Sequence, residues 1–242
     1  MKKYLNAAII AGLGLILGLL LVFLIGPRLE CVYLHWRVIS QTKGMSETVS
    51  EWADIYYTDQ DKDYIPLISR LTDDYLPLIL NDFHVSGGRR AVIVVYSEVS
   101  RFRAAVSRLD ILPMGAYYGG VINIISPSLW MANANDASAK DYFIQNGPLI
   151  HELTHYAADL KYGGHIPVWL AEGAALYYEY KYTGVEWRPD LENEASEITM
   201  SDLEQNFRII DERVAYRKAF DAVNLIVRKY GEDRLQQLLA QV

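Results

Sequence analysis

The sequence is poor in cysteine and in basic side chains. Its 242 residues include one cysteine, Cys31, and the 23 lysines and arginines are outnumbered by 30 aspartates and glutamates. One cysteine excludes an internal disulfide framework and a zinc site built from cysteines. The net charge of -7 repels phosphate backbones, so a nucleic-acid partner is not expected. With 51% hydrophobic residues, a disordered chain is excluded as well.

Residues 7–25 contain no charged side chain. As a helix they reach roughly 28 Å, which matches the hydrocarbon thickness of a bilayer. The residues that follow offer no small-residue cleavage site, so an uncleaved transmembrane anchor over residues 1–26 is favoured over a removed signal peptide. Because Lys2 and Lys3 precede the stretch, the positive-inside rule favours a cytoplasmic N-terminus. The sequence thus predicts a single-pass cell-membrane protein with the lipid bilayer as one partner and an extracytoplasmic domain.

The remaining chain is predicted to form a short stalk, residues 27–44, and one acidic domain, residues 45–242. The length of this domain fits a single hydrophobic core. Hydrophobic patterns predict strands at 52–58, 91–96 and 115–126, and helices at 61–81, at 97–108 and through most of the chain after residue 141. Pro77 is a position where the first helix kinks or splits, and Ser97 is the expected cap of the second. The order of these elements predicts an α+β domain with a small mixed sheet and a helical half.

Residues 151–155 read His-Glu-Leu-Thr-His. On a helix, His151 and His155 lie on one face a turn apart, so both imidazoles can reach one metal ion, and Glu152 lies beside the open coordination position. From the composition of this chain, the chance of such a spacing is roughly 0.6%. Pro148 and the apolar residues around the motif predict the helix that the metal site requires. The alternative is a pair of histidines one turn apart without a metal.

A catalytic zinc site needs a third protein ligand, with water in the fourth position. The candidates are His165, Glu172 and Glu179. Gly163 is expected to end the motif helix and Pro167 to begin the next one, and this turn brings Glu172 back against the histidines. His165, in the loop, is expected at the rim of the site. Glu179 lies two turns beyond Glu172 and is a candidate support for a ligand.

Other residues of the motif helix exclude two further classes of protease. Ala158 and Lys161 stand where metzincins have a glycine and a third histidine, so that class is excluded. Asp159 and Lys161 are also too polar for a motif inside a membrane span, which excludes an intramembrane protease. Asp159, one turn beyond His155, either orients an imidazole or is a solvated carboxylate at the helix end.

These motifs resemble the peptidase MA-like gluzincins, relatives of the thermolysin-type zinc proteases. The resemblance rests on HELTH at 151–155, on WLAEG at 169–173 and, less specifically, on the late segment 215–239. It covers roughly residues 50–242 and implies a zincin-like domain with one Zn²⁺ per chain, held by His151, His155 and Glu172. The 16 residues between His155 and Glu172 are slightly fewer than in thermolysin itself, and the resemblance names no substrate.

The resemblance implies a membrane-anchored zinc metallopeptidase that acts on a peptide or protein substrate. Glu152 is the expected general base, because it can take a proton from the attacking water and deliver it to the leaving amine. Tyr216 occupies the position where similar gluzincins present a tyrosine to the oxyanion, but it is equally well a core tyrosine. The segment 117–124 is either an edge strand that pairs with an extended peptide or an internal strand.

The alternative function is a catalytically silent, zinc-stabilised pseudopeptidase that binds a peptide or a protein partner. A purely structural zinc site has no use for a general base. The intact Glu152 therefore favours the enzyme.

Overall fold

The computed structural model describes residues 32–87, 89–107, 112–131, 138–163 and 165–241. One five-stranded mixed sheet has the order β1-β2-β3-β5-β4, with strands β1 Ser46–Val49, β2 Ala53–Tyr57, β3 Ala91–Tyr96, β4 Gly115–Tyr118 and β5 Val121–Ile125. β2, β3 and β5 are parallel, and the two outer strands run antiparallel to their neighbours. β3 and β5 are almost continuously buried, because both faces of the central sheet are covered.

Helices form most of the second half of the described chain. Two helices lie in the first half, α1 Ile65–Asp82 and α2 Val99–Ala105. The others are α3 Ala139–Asn146, α4 Leu149–Tyr162, α5 Val168–Thr183, α6 Glu192–Ser196, α7 Met200–Asn206, α8 Glu212–Tyr230 and α9 Glu232–Leu239. Residues 32–40 are helical as well, and Val38 is buried against the sheet together with Val94 and Tyr96. α4 packs between α1 and α5, and α5 packs in turn on α8. α4, which carries the His-Glu-Leu-Thr-His motif, also packs on β4 and β5, so the sheet supports it.

The predicted fold class includes a transmembrane helix that is not found among the described residues. In the part of the chain that the structure describes, no helix is both long and apolar enough to cross a bilayer. The two longest, α1 and α8, carry charged side chains along their length, such as Arg70 and Asp73 in α1. The predicted anchor over residues 7–25 and Cys31 lie outside the described residues. The prediction of a single-pass membrane localisation is therefore not supported, and the fold found is α+β with a mixed sheet.

The predicted strand at 115–126 is instead a hairpin. Gly119 and Gly120 form its turn with φ angles of +62° and +74°, the left-handed values that a two-residue hairpin turn of this kind requires. β4 is thus the edge strand of the sheet and β5 is internal. Gly115 allows β4 to lie directly on the start of α4, because a Cβ at this position would be 2.6 Å from the Pro148 Cβ. The edge strand therefore runs against the motif helix.

A second glycine sets the spacing between α5 and α8. A Cβ on Gly173 would lie 2.5 Å from the backbone oxygen of Ala219 and 2.7 Å from Val223 Cγ2. No larger residue fits at this contact without moving one of the helices. The close approach brings Tyr216 of α8 to the level of Glu172 of α5.

Two local predictions differ from the structure, and one strand was not predicted. α1 continues through Pro77 without a break. α2 begins at Val99 with Glu98 at its N-cap, because the hydroxyl of Ser97, the predicted cap, lies 2.8 Å from the Thr58 hydroxyl and is engaged there. The outer strand β1 was not predicted, since it is a short and largely exposed strand with only one apolar residue, Val49.

Candidate metal centre

One face of α4 is apolar and buried, and a pair of histidines lies outside this face. Its buried side chains recur at helical spacing and include Leu149, Leu153 and Tyr156. His151 and His155 lie off this face, and their side chains are 15% and 18% exposed. Their Nε2 atoms are 3.1 Å apart. The helix thus presents two imidazole nitrogens side by side at a partly accessible position.

The turn after α4 brings Glu172 to this pair. Gly163 ends α4 in the left-handed conformation, with φ of +70°, and α5 begins directly after Pro167. Glu172 Oε2 lies 3.1 Å from His151 Nε2 and 3.4 Å from His155 Nε2. Among the described residues, these three side chains form a group able to hold a metal ion. The structure therefore brings together the three ligands that the sequence predicts.

The shape of this group fits zinc. Two ligand atoms that lie about 2.0 Å from a tetrahedral zinc ion are about 3.3 Å apart. The three donor atoms here form a triangle with edges of 3.1, 3.1 and 3.4 Å. Two imidazoles and one carboxylate are also a donor set that zinc uses in catalytic sites. The residues thus fit a three-ligand zinc site in both spacing and chemistry.

The charges in this group stabilise one another. Burial alone lowers the pKa of His151, but the Glu172 and Glu179 carboxylates outweigh it and hold this pKa well above its usual value. Burial alone raises the pKa of Glu172, but His155 and His151 hold it well below its usual value. The site therefore keeps Glu172 ionised, as a metal ligand must be.

Glu179 supports His151 from the side opposite to the donor triangle. Its Oε2 lies 3.4 Å from His151 Nδ1. When Nε2 binds a metal ion, the remaining ring proton lies on Nδ1, where it is directed at this carboxylate. Glu179 thus fixes the ring orientation and the tautomer that metal binding requires.

Glu179→Gln is expected to weaken zinc binding about 10- to 100-fold, the usual effect of removing a carboxylate behind a metal-bound histidine. Competitive titration with a zinc-chelating dye measures this change. Glu197, an exposed glutamate between α6 and α7, provides the matched control, and Glu197→Gln is expected to bind zinc like the wild type. Equal zinc affinity for Glu179→Gln and the wild type would show that Glu179 does not orient His151.

Glu152 lies at the start of α4, between the metal ligands and the edge strand. Its side chain is buried, and the backbone N–H of Tyr117 in β4 donates a 2.6 Å hydrogen bond to its Oε2 atom. Burial raises the pKa of Glu152, while His151 and His155 oppose this shift. Glu152 is therefore a buried carboxylate held next to the metal triangle without belonging to it.

Tyr216 reaches the same site from α8. Its hydroxyl is hydrogen-bonded to the Glu172 carboxylate. Burial raises the pKa of the phenol, and the negative charge of Glu172 raises it further. The ring packs between Phe207 and Trp187, with ring centroids 5.6 and 6.3 Å away. Tyr216 therefore lies beside Glu172, and its role as an oxyanion donor stays a prediction.

Two residues that the sequence marked as candidates for the site, His165 and Asp159, lie outside the metal group, and a residue that contacts Glu152 was not predicted. His165 is exposed in the loop between α4 and α5, outside the metal group. Asp159 accepts a 2.6 Å hydrogen bond from the Tyr117 hydroxyl. Tyr117 thus contacts both Asp159 and Glu152, and sequence reasoning missed these contacts. They depend on how β4 lies over α4, for which the sequence gives no local signal.

Comparison of the chain with protein-family models and with curated proteins gives no match. The resemblance to gluzincins therefore rests on the motifs alone. The geometry of the site, and above all the position of Glu152 beside the metal group, is the guide to function.

Proposed function

We propose that this protein is a zinc-dependent peptidase. The proposal is supported by a three-ligand metal group and a separate buried carboxylate in one site. His151, His155 and Glu172 form a triangle that fits zinc, and Glu152 lies beside it as a buried carboxylate that metal binding does not need. A site with only a structural metal has no use for this extra carboxylate.

In this proposal, His151, His155 and Glu172 hold the zinc ion. When bound, zinc acts as a Lewis acid that makes a water molecule more acidic and polarises a carbonyl group. Three protein ligands are the number found in catalytic zinc sites, where one position is left for water or substrate. The partial exposure of the two histidine side chains, 15% and 18%, is consistent with access from solvent.

Glu152 is the proposed general base. It accepts a proton from the attacking water and returns it to the amine of the leaving fragment, which keeps the protons in balance. The hydrogen bond from the Tyr117 N–H holds the carboxylate in one orientation. A proton acceptor that is already oriented lowers the entropic part of the activation barrier. Tyr216 is the proposed donor to the oxyanion that develops on the carbonyl oxygen.

The edge strand β4 is the proposed binding surface for the peptide backbone. It is one of the two edge strands of the sheet, and its Tyr117 N–H donates a hydrogen bond to Glu152. An extended peptide that adds to such an edge is recognised through its main chain, which suits a substrate of varied sequence. A peptide along β4 therefore lies within reach of Glu152.

Metal removal tests the proposal. The purified full chain is expected to contain about one zinc per molecule and to cleave an unfolded polypeptide such as reduced casein. Treatment with 1,10-phenanthroline is expected to abolish cleavage, and added zinc to restore it. Elemental analysis and peptide mapping of the products give both readouts. If zinc-loaded protein cleaves no unfolded polypeptide, the pseudopeptidase is the correct alternative.

A further inference from the structure

Arg217 is a buried cation next to the proposed oxyanion donor. Its side chain is 3% exposed. The guanidinium makes a two-point contact with Asp221, at 2.7 and 3.1 Å. It also lies 2.8 Å from Glu186 Oε1 and donates a 2.8 Å hydrogen bond to the backbone oxygen of Trp187. Arg217 therefore ties α8 to the segment that follows α5.

This segment, residues 184–188, is here called the strap. It begins at Gly184 and ends at Arg188, and both residues have positive φ angles, +72° and +40°. Such a conformation is unfavourable for arginine and persists where surrounding contacts hold it. Two contacts between Arg188 and Asp190, at 2.8 and 2.6 Å, hold the end of the strap, and Arg217 holds its centre. The strap is thus a short segment with a fixed conformation.

The strap places an indole ring on Tyr216. The Trp187 ring centroid lies 6.3 Å from that of Tyr216, and Phe207 packs at 5.6 Å. Trp187 is itself 37% exposed, so its own burial does not fix its position. The hydrogen bond from Arg217 to its backbone oxygen supplies this restraint. Since Tyr216 and Arg217 are adjacent in α8, their side chains diverge by about 100°, and Arg217 acts from outside the site.

We propose that Arg217 is a positioning residue for the hydrolysis, because it fixes the strap and thereby holds the Tyr216 phenol beside Glu172 through the Trp187 ring. The inference rests on the proposed function. It extends that function by naming a residue that touches neither metal nor substrate. A guanidinium suits this role, since its planar fork contacts Asp221, Glu186 and a carbonyl oxygen at once.

A double-mutant cycle between Arg217 and Tyr216 tests the inference. Tyr216→Phe removes the oxyanion donor and is expected to lower kcat by roughly 100-fold. Arg217→Gln displaces the phenol and is expected to lower kcat about tenfold with KM within about twofold, because the lost contact is made only in the transition state. In the Tyr216→Phe background, Arg217→Gln is expected to have no further effect on kcat. A general loss of stability would instead add to the effect of Tyr216→Phe.

Rescue and control variants complete the cycle. Arg217→Lys keeps the charge but not the fork and is expected to recover part of the lost kcat. Arg228→Gln is the matched control: Arg228 is an exposed arginine about three turns after Arg217, near the other end of α8. It is expected to hydrolyse peptides like the wild type. If Arg217→Gln does not fold, Trp187→Ala takes its place in the cycle with the same expected result, since it removes the ring that connects Arg217 to Tyr216.

The outcomes separate the two proposals. An active wild type with additive effects of Arg217→Gln and Tyr216→Phe, or with unchanged kcat in Arg217→Gln, overturns the positioning role alone. A zinc-loaded wild type without any hydrolysis overturns the proposed function and the positioning role with it. The chain has five tryptophans, so the contribution of Trp187 to acrylamide quenching is isolated as the difference between each protein and its Trp187→Phe counterpart. This contribution is expected to increase in Arg217→Gln and to stay unchanged in Arg228→Gln.

Discussion

Glu152→Gln is expected to lower the rate of peptide hydrolysis by roughly 10²- to 10⁴-fold, the contribution of a positioned proton acceptor. Glutamine has nearly the same shape as glutamate but cannot accept the proton. Residue 152 is not one of the three metal ligands, so the zinc content is expected to stay at about one per chain. Measurements of kcat and elemental analysis on the same preparation give both values.

The matched control for Glu152→Gln is Asp159→Asn. Asp159 is a second carboxylate on α4 and also bonds Tyr117, through its hydroxyl rather than through its backbone N–H. Asp159→Asn keeps an acceptor for this hydroxyl, and its kcat is expected to stay within about a factor of three of the wild type. Full hydrolytic activity in Glu152→Gln would exclude Glu152 as the general base. Equal partner binding by Glu152→Gln and by an inactive wild type would favour the pseudopeptidase.

Glu172→Ala is expected to abolish stable zinc binding, whereas His165→Ala is expected to retain about one zinc per chain. Glu172 is the only carboxylate within 3.4 Å of both His151 Nε2 and His155 Nε2 among the described residues, and His165 is exposed in the loop. The loss for Glu172→Ala should exceed the roughly 10- to 100-fold effect expected for Glu179→Gln, since a direct ligand is removed rather than its support. Isothermal titration of metal-free protein with zinc measures all three variants.

The same pair of variants separates the metal from the fold. A metal ion that binds only the folded protein raises its melting temperature, so the melting temperature of Glu172→Ala is expected not to respond to added zinc. The melting temperature of His165→Ala is expected to rise with zinc as in the wild type. Zinc retention in Glu172→Ala together with zinc loss in His165→Ala would reverse the assignment of the third ligand.

The parts of the site that follow from local rules were predictable from the sequence. His151 and His155 lie four residues apart on one helix, and helix geometry alone places them side by side. Glu172 follows from one further local signal, the turn between Gly163 and Pro167. The bond between Tyr117 and Glu152 depends instead on how the sheet edge lies over α4, and no short-range pattern encodes that placement.

The same distinction holds for the fold. The apolar run of β3 marked a buried strand, and its predicted bounds, Ala91–Tyr96, are those of the structure. The predicted strand at 115–126 runs through Gly119 and Gly120, although two adjacent glycines are also the signal of a two-residue hairpin turn. The strap was missed because its role appears only once Arg217, 30 residues after Trp187, has folded back onto it.

A substitution at Gly173 is expected to affect both the stability of the fold and the proposed activity. Gly173 follows the metal ligand Glu172 directly, and the absence of its side chain sets how closely α5 approaches the helix that carries Tyr216. One added methyl group at this position is expected to push the two helices apart and to lower the free energy of unfolding by about 1–3 kcal/mol. The same displacement moves the Tyr216 phenol away from the Glu172 carboxylate. A stabilising change at a distance would then restore the melting temperature but not the distance between the two helices.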